Sequence, residues 1–255
     1  ARAGARLLEP PHAERVEHLD PGRVEPLSGE ALGGARVCLD HEDGGALARV
    51  RERGVAGMLS SSLDDLAAWA SDEQSDILQV AAPDGTVTLL FSDIEDSTAL
   101  NDRLGDKAWV RVLAAHDALV RAMVDKRRGR VVKTAGDSFM VAFRDPVAAV
   151  LAARGIQRAL ARTLDPRLRL TPVRVRIGVH TGTVISRDGD YFGRNVSMAA
   201  RVAALADGGE VLVTQAVRDE TSESGDRRMR FEEAGTVELK GLPGEHDLWR
   251  LVVET

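Results

Sequence analysis

Thr86-Val87-Thr88-Leu89-Leu90-Phe91 carries no charge and runs straight into Ser92-Asp93. So short an apolar run, rich in β-branched and aromatic residues, predicts a buried strand rather than a helix, which needs about ten residues or more. A long amphipathic stretch follows, predicting a helix over about Lys107–Arg127. Gly129–Thr134 and Ser138–Phe143 read as two short strands around Ala135-Gly136-Asp137, a hairpin. Asp145–Arg162 reads as a helix with Pro146 in its first turn, where a missing N–H is harmless. Val173–His180 is a predicted strand and Gly182–Ile185 another. Arg194–Leu205 is a predicted helix closed by Gly208-Gly209. Glu210–Val213, Arg230–Glu233, Thr236–Leu239 and Asp247–Val252 are short and strand-like. The order β-α-α-β-β-α-β predicts an α+β fold: a ferredoxin-like βααββαβ core with C-terminal additions.

Charge divides the chain. Residues 1–85 hold 8 Arg against 16 Asp and Glu, whereas residues 86–255 hold 26 basic and 24 acidic residues. The net charge of −6 therefore belongs to the first third, and a net-acidic chain argues against nucleic-acid binding. With the turn Pro83-Asp84-Gly85, this shift predicts a boundary between an acidic segment, 1–85, and a domain over 86–255. The first segment opens with Pro10, Pro11, Pro21 and Pro26, a linker-like arm, and then allows at most a small α/β piece. Its single cysteine, Cys38, excludes an intramolecular disulfide framework and a cysteine-based zinc cluster, so a reducing, cytoplasmic setting is expected. Apolar runs are too short to cross a bilayer, and no signal peptide is visible. The first residue is not Met, which leads to the expectation of a chain trimmed from something longer. Only four of the 34 basic residues are Lys: Lys107, Lys126, Lys133 and Lys240.

Two short segments concentrate chemistry. In Phe91-Ser92-Asp93-Ile94-Glu95-Asp96-Ser97-Thr98 an apolar strand ends in a carboxylate and a helix begins shortly after. Free N–H groups at a helix start favour anions, and a carboxylate beside them can hold a hard cation. Taken alone, Asp93 or Asp96 reads as an N-cap. In Lys133-Thr134-Ala135-Gly136-Asp137-Ser138-Phe139 an Asp sits at the tip of a tight hairpin, which by itself is turn chemistry. Together they mean more. If the first strand and the hairpin are neighbours, Asp93 and Asp137 face each other, and close carboxylates either share a proton or bind metal.

These segments resemble the catalytic domain of class III adenylate/guanylate cyclases. FSDIEDST is similar to that family's first metal-binding motif and KTAGDSF to its second. IGVHTG (177–182), DYFGRNVSMAAR (190–201) and ELKGL (238–242) follow in the family's order. The resemblance covers residues 86–252. It implies that Asp93 and Asp137, with the Ile94 carbonyl, bind two divalent cations, Mg²⁺ or Mn²⁺. It implies that Lys133 and Asp190 read adenine, so that ATP is the substrate. Arg201 matches the arginine that stabilises the pentavalent phosphorus, and Lys240 the lysine on the β/γ-phosphates. Ser97 and Thr98 fall at the phosphate-facing helix start. The resemblance further implies a homodimer with active sites at the subunit interface, the metal-binding Asp residues coming from one subunit and Lys133, Asp190, Arg201 and Lys240 from the other.

Three departures from the family pattern stand out. Ser197 occupies the place of an Asn four residues before the catalytic Arg, a shorter hydrogen-bond donor. Asn195 lies two residues away and points differently on a helix. Asp96 replaces a common Gly and adds negative charge near the phosphates. His180 to Asp190 spans ten positions, which resembles the short-arm subclass IIIc of actinobacteria. His180, at a strand end, reads as structural. The alternative reading is a weakly active or inactive cyclase-homology domain that binds nucleotide and regulates, supported by Ser197 and Asp96; a diguanylate cyclase is opposed by the absence of a Gly-Gly-acidic-acidic-Phe hairpin.

Overall fold

In a computed structural model of the chain, residues 80–183 and 190–254 are described. The charge-free run becomes the start of β1 (Thr86–Ile94), buried at every position after Thr86. Then come α1 (Ser97–Leu104), α2 (Asp106–Asp125), β2 (Arg130–Ala135), β3 (Ser138–Phe143), α3 (Pro146–Ala161), α4 (Pro166–Leu170) and β4 (Val175–Thr183). The domain closes with α5 (Asp190–Leu205), β5 (Val211–Thr214), α6 (Gln215–Ser222), β6 (Phe231–Leu239) and β7 (Leu242–Leu251). The strands form one sheet in the order β2-β3-β1-β4-β5-β7-β6. The βααββαβ core is therefore present, with β5 joining β4 in parallel and the β6–β7 hairpin extending the sheet. The acidic segment, apart from residues 80–85, lies outside the described residues, as does the α/β piece expected within it.

Period-2 alternation sorts each central strand between two helical layers. Leu90 and Ile94 of β1, Phe139, Val141 and Phe143 of β3, and Val175, Ile177 and Val179 of β4 face one way. They pack with Val120 and Val124 of α2 and Val150, Ala153 and Ile156 of α3. Val87, Leu89 and Phe91 of β1 and Met140 and Ala142 of β3 face the other way, against Val196, Ala199 and Ala203 of α5. Met198 and Val202 of α5 also cover Leu212, Val237 and Leu248 of the added strands. One helix thus ties the core to its extension.

The close approach of α5 is written into β4. On the α5 side this strand reads Arg176, Gly178, His180, Gly182. A Cβ at Gly178 would stand 2.1 Å from the Ala203 backbone nitrogen, and one at Gly182 would stand 2.7 Å from the Asn195 side-chain oxygen. Gly182 therefore does not interrupt the strand, and the two strands expected over Val173–His180 and Gly182–Ile185 are one, through Thr183. Thr181 pairs with Thr88 across the sheet, their buried hydroxyls 3.1 Å apart. Likewise Arg230–Glu233 and Thr236–Leu239 belong to one strand, β6, whose register shifts between Glu233 and Gly235. That is a bulge, at which a strand bends without ending. Asp145 caps α3, its carboxylate accepting from Val147 N–H at 2.9 Å. The short helices α4 and α6 have no counterpart among the sequence expectations. In α6 only Val217 and Thr221 are buried, and a helix of eight mostly polar residues is too short and too polar to stand out in the sequence. Among the described residues no helix is long and apolar enough to cross a membrane.

Candidate active site

Asp93 is the penultimate residue of β1 and is 3% exposed. It lies on the α5 side of the sheet, where polar contacts replace the apolar ones of Leu89 and Phe91. The Ser138 hydroxyl donates to its Oδ1 at 2.5 Å. From β4, its direct partner in register, Arg176 donates Nε (3.0 Å) and a terminal NH₂ (2.5 Å) to Oδ2. Charge-assisted bonds of this kind are the strong ones.

Asp137 comes in from the β2–β3 turn. Ala135 pairs with Ser138, leaving Gly136-Asp137 as a two-residue loop, and Gly136 adopts φ +59, a left-handed conformation suited to Gly at the start of such a turn. The Asp137 Oδ2 accepts the N–H of Ile94 at 2.9 Å, which locks the turn onto the end of β1. Burial raises the Asp137 carboxyl to about 6, and the negative charge of Asp93 pushes it the same way. The two carboxylates expected to meet do meet, and the charge of Asp93 disfavours that of Asp137.

The neighbouring acids are turned elsewhere. Glu95 accepts the Gly208 N–H at 2.9 Å and pairs with Arg174 at 3.4 Å. Asp96 stands at the N-cap position of α1 with φ 55 and ψ 33 and no side-chain cap bond, and it is exposed. Asp96 therefore holds the cap position without capping through its side chain, and Asp93 lies within β1. The left-handed backbone at Asp96 also gives the reason a Gly suits this position, since Asp and Asn tolerate that region better than other side chains do.

Two carboxylates and the nearby Ile94 carbonyl form an all-oxygen donor set, the kind hard divalent cations take. Among the described residues no cluster of three or more His, Cys, Asp or Glu side chains exists to hold a metal unaided. The set fits a cation that keeps some of its ligands for water and phosphate oxygens, as Mg²⁺ does.

A sequence profile described as the adenylate and guanylate cyclase catalytic domain matches residues 80–253. The chain belongs to this family. A receptor-type adenylate cyclase of Trypanosoma brucei brucei, ESAG 4, is 32% identical over 208 residues, covering 66% of this chain and 17% of that protein, so the chain spans about a sixth of it. A solved adenylate cyclase structure from Trypanosoma brucei in its monomeric state is 32% identical, with a TM-score of 0.58, covering 67% of this chain and 90% of that one. The adenylyl cyclase CyaB from P. aeruginosa, 24% identical with a TM-score of 0.58 over 67% of this chain and 95% of its own, shares the fold.

Within this cyclase domain, Lys133 lies on β2 in register with Met140, half-buried. Asp190 is the first residue of α5. Ser197 and Arg201 are half-buried on the same helix, one turn apart, and Arg201 makes no hydrogen bond or ion pair among the described residues. A Cβ on Gly241 would lie 3.9 Å from the Arg201 guanidinium, so the exposed Lys240 turn and Arg201 are neighbours. Ser97 and Thr98 open α1, two residues past Glu95.

Asn195 is engaged in structure. Its Nδ2 donates to the Thr183 carbonyl at 2.8 Å, which leaves Oδ1 to accept from His180 Nε2 at 3.1 Å. His180 is then the Nε2–H tautomer, with Nδ1 accepting the Thr214 hydroxyl at 3.0 Å. Burial holds this histidine down at about 4. His180 is a neutral brace between β4, β5 and α5, as its strand-end position suggested.

Arg176 is the residue sequence reading missed. In VRVRIGVH, arginines alternate with apolar residues, which reads as a solvated strand face. Its partner appears only when β1 and β4 are aligned.

Proposed function

We propose that the domain is an adenylate cyclase, converting ATP to 3′,5′-cyclic AMP and pyrophosphate. The observation that carries this reading is the approach of Asp93 and Asp137 at the ends of β1 and the β2–β3 turn. In the reaction the ribose 3′-oxygen forms a bond to the α-phosphorus, its proton leaves, and the α–β bridging bond breaks to release pyrophosphate. Positioning and charge stabilisation dominate such phosphoryl transfers. Asp93, Asp137 and the Ile94 carbonyl would hold two divalent cations, Mg²⁺ or Mn²⁺, which when bound acidify the 3′-hydroxyl and offset the charge of the leaving pyrophosphate.

The remaining steps belong to side chains. Lys133 donates to adenine N1, and Asp190 accepts from the exocyclic amine. Ser97, Thr98 and the start of α1 hold phosphate oxygens, and Lys240 meets the β/γ-phosphates as a compact charge. Arg201, which makes no ion pair among the described residues, is available to the pentavalent phosphorus, and Ser197 adds one donor. Support for the residue roles is the family pattern together with the shared placement of Ser197 and Arg201 on α5. The site is composite in a homodimer, and use of ATP puts the domain on the cytoplasmic side.

The second reading, a weakly active domain that binds nucleotide and regulates, is favoured by Ser197 and the exposed charge of Asp96. Purified protein incubated with ATP or GTP and Mn²⁺ separates them. Cyclic AMP formed preferentially from ATP, and lost in Asp93→Ala, supports the enzyme. No product from either nucleotide contradicts it.

A further inference from the structure

On the α2–α3 face of the sheet, away from Asp93, lies a cavity of about 360 Å³ that the proposed reaction does not use. Sites for small ligands begin at about 300 Å³. Leu160 and Ala161 of α3, Leu168 of α4, Val173 and Val253 make its walls largely apolar. Apolar surface continues at its edge. Leu164 and Leu170, next in sequence to the lining residues Thr163 and Arg169, are both 84% exposed. Two arginines line the cavity, and they differ. Arg174 is already balanced: it donates twice to the Gly208 carbonyl, at 3.1 and 2.7 Å, and pairs with Glu95 at 3.4 Å. Arg169 is exposed, and its side chain makes no hydrogen bond or ion pair among the described residues. Asp165, an acid in the same loop, is spent on the Arg167 N–H at 2.9 Å and the Arg167 guanidinium at 2.6 Å. The lining therefore offers apolar walls and one uncommitted positive charge.

We propose that this cavity is an effector site for a small carboxylate with an apolar body. The body lies against Leu160, Leu168 and Val253, and the carboxylate meets Arg169 at the rim. Burial of the body supplies most of the affinity, and the cation selects a negative head. The cavity is joined to the end of β1 by a short chain of bonds. The Arg174 carbonyl accepts the Glu95 N–H at 2.8 Å, and the Gly209 N–H donates to the Val175 carbonyl at 2.8 Å. The Glu95 carboxylate in turn accepts the Gly208 N–H at 2.9 Å. This junction has no slack, since a Cβ at Gly208 would stand 2.6 Å from the Arg174 Cβ. Glu95 directly follows Ile94, whose N–H is held by Asp137. A ligand against Arg174 and Gly209 thus bears on the backbone that brings Asp93 and Asp137 together. Nucleotide at that site then changes the ligand's affinity by the factor that the ligand changes the nucleotide's. The coupling rests on the cyclase reading, whereas the binding itself does not.

Octanoate is the probe, with 1-octanol as its uncharged counterpart, each titrated into the full chain by calorimetry. Octanoate should bind saturably, one per chain. Arg169→Gln should weaken octanoate about threefold, the scale of an exposed ion pair, and leave 1-octanol unchanged. Ala161→Trp, which fills the cavity from an exposed position, should weaken both at least about tenfold. Circular dichroism checks that each variant is folded, and two variants at exposed positions guard against one that is not. With Mn²⁺ and 3′-deoxy-ATP, which has no hydroxyl to cyclise, octanoate affinity in wild type should shift at least about fivefold. No saturable octanoate binding, or binding that neither variant weakens, overturns the site and leaves the cyclase reading intact. Octanoate binding that is unmoved by a bound analogue overturns the coupling. If the analogue does not bind and no cyclic AMP forms from ATP, the cyclase reading falls, while the octanoate titrations still decide the site.

Discussion

Ser197 stands one turn before Arg201 on α5, where the family pattern has Asn, and one transition-state donor is worth about 10²–10³ in rate. Ser197→Asn should therefore raise kcat at least about tenfold with a smaller change in KM. Steady-state kinetics with Mn²⁺ and ATP would show it, and an unchanged kcat would remove Ser197 from the reacting centre. The proposed reading assigns base choice to two other residues. Exchanging Lys133 and Asp190 together should cut the ATP-over-GTP ratio of kcat/KM by about tenfold or more, and an unchanged ratio would refute their role. Histidine makes a pH prediction. His180 is held at about 4, chiefly by burial, against 6.5 in the unfolded chain, so between those values the unfolded chain binds more protons. Its stabilising contribution is complete above pH 6.5 and is lost as the pH falls towards 4, a change of at most about 3 kcal/mol. Thermal unfolding of wild type should fall more steeply across that window than that of His180→Gln, and parallel curves would contradict the brace. Asp93 and Asp137 were legible in sequence because each sits in a short motif whose chemistry needs an acid. Arg176 was not, because what makes it special is a partner 83 residues away.

At the scale of elements, α5 and β4 matter most, because one carries Ser197 and Arg201 and the other supports it. Their contact has no side-chain layer at Gly178. An added methyl there would stand 2.1 Å from the Ala203 nitrogen and 2.8 Å from the Ala199 carbonyl, backbone that moves only if α5 lifts off the sheet. Gly178→Ala should cost at least about 2 kcal/mol, the scale of overpacking, measured by chemical denaturation. It should lower activity in the surviving folded protein as well. A cost below about 0.5 kcal/mol would mean that α5 is looser on β4 than the glycines indicate. Elements with a long apolar face, such as β1, α2 and α3, were legible from periodicity. Two kinds of feature were not. A glycine inside β4 or β6 reads as a break when it is a close approach or a bulge, and a helix such as α6 is too short and too polar to declare itself.

For the whole molecule, the decisive element of the proposal is an active site that draws on two copies of the chain. Asp93→Ala and Arg201→Ala should each be inactive alone as homodimers. Mixed, they should regain activity, because a heterodimer assembles one site with both functional halves. No recovery on mixing, with dimers present, would place all the residues of a site in one chain. The acidic segment belongs at this scale too. Its position and charge motivate a regulatory role, and deletion of residues 1–82 should change activity or dimerisation. An unaltered domain would remove that role. Everything else depends on the Asp93–Asp137 pair acting as a cyclase centre. The most direct measurement is the product formed from ATP and Mn²⁺ by purified wild-type protein and by Asp93→Ala. Cyclic AMP and pyrophosphate should appear in equal amounts with wild type and fall by at least about 10²-fold with the variant. No cyclic AMP from wild type, or equal amounts from both proteins, would contradict the account.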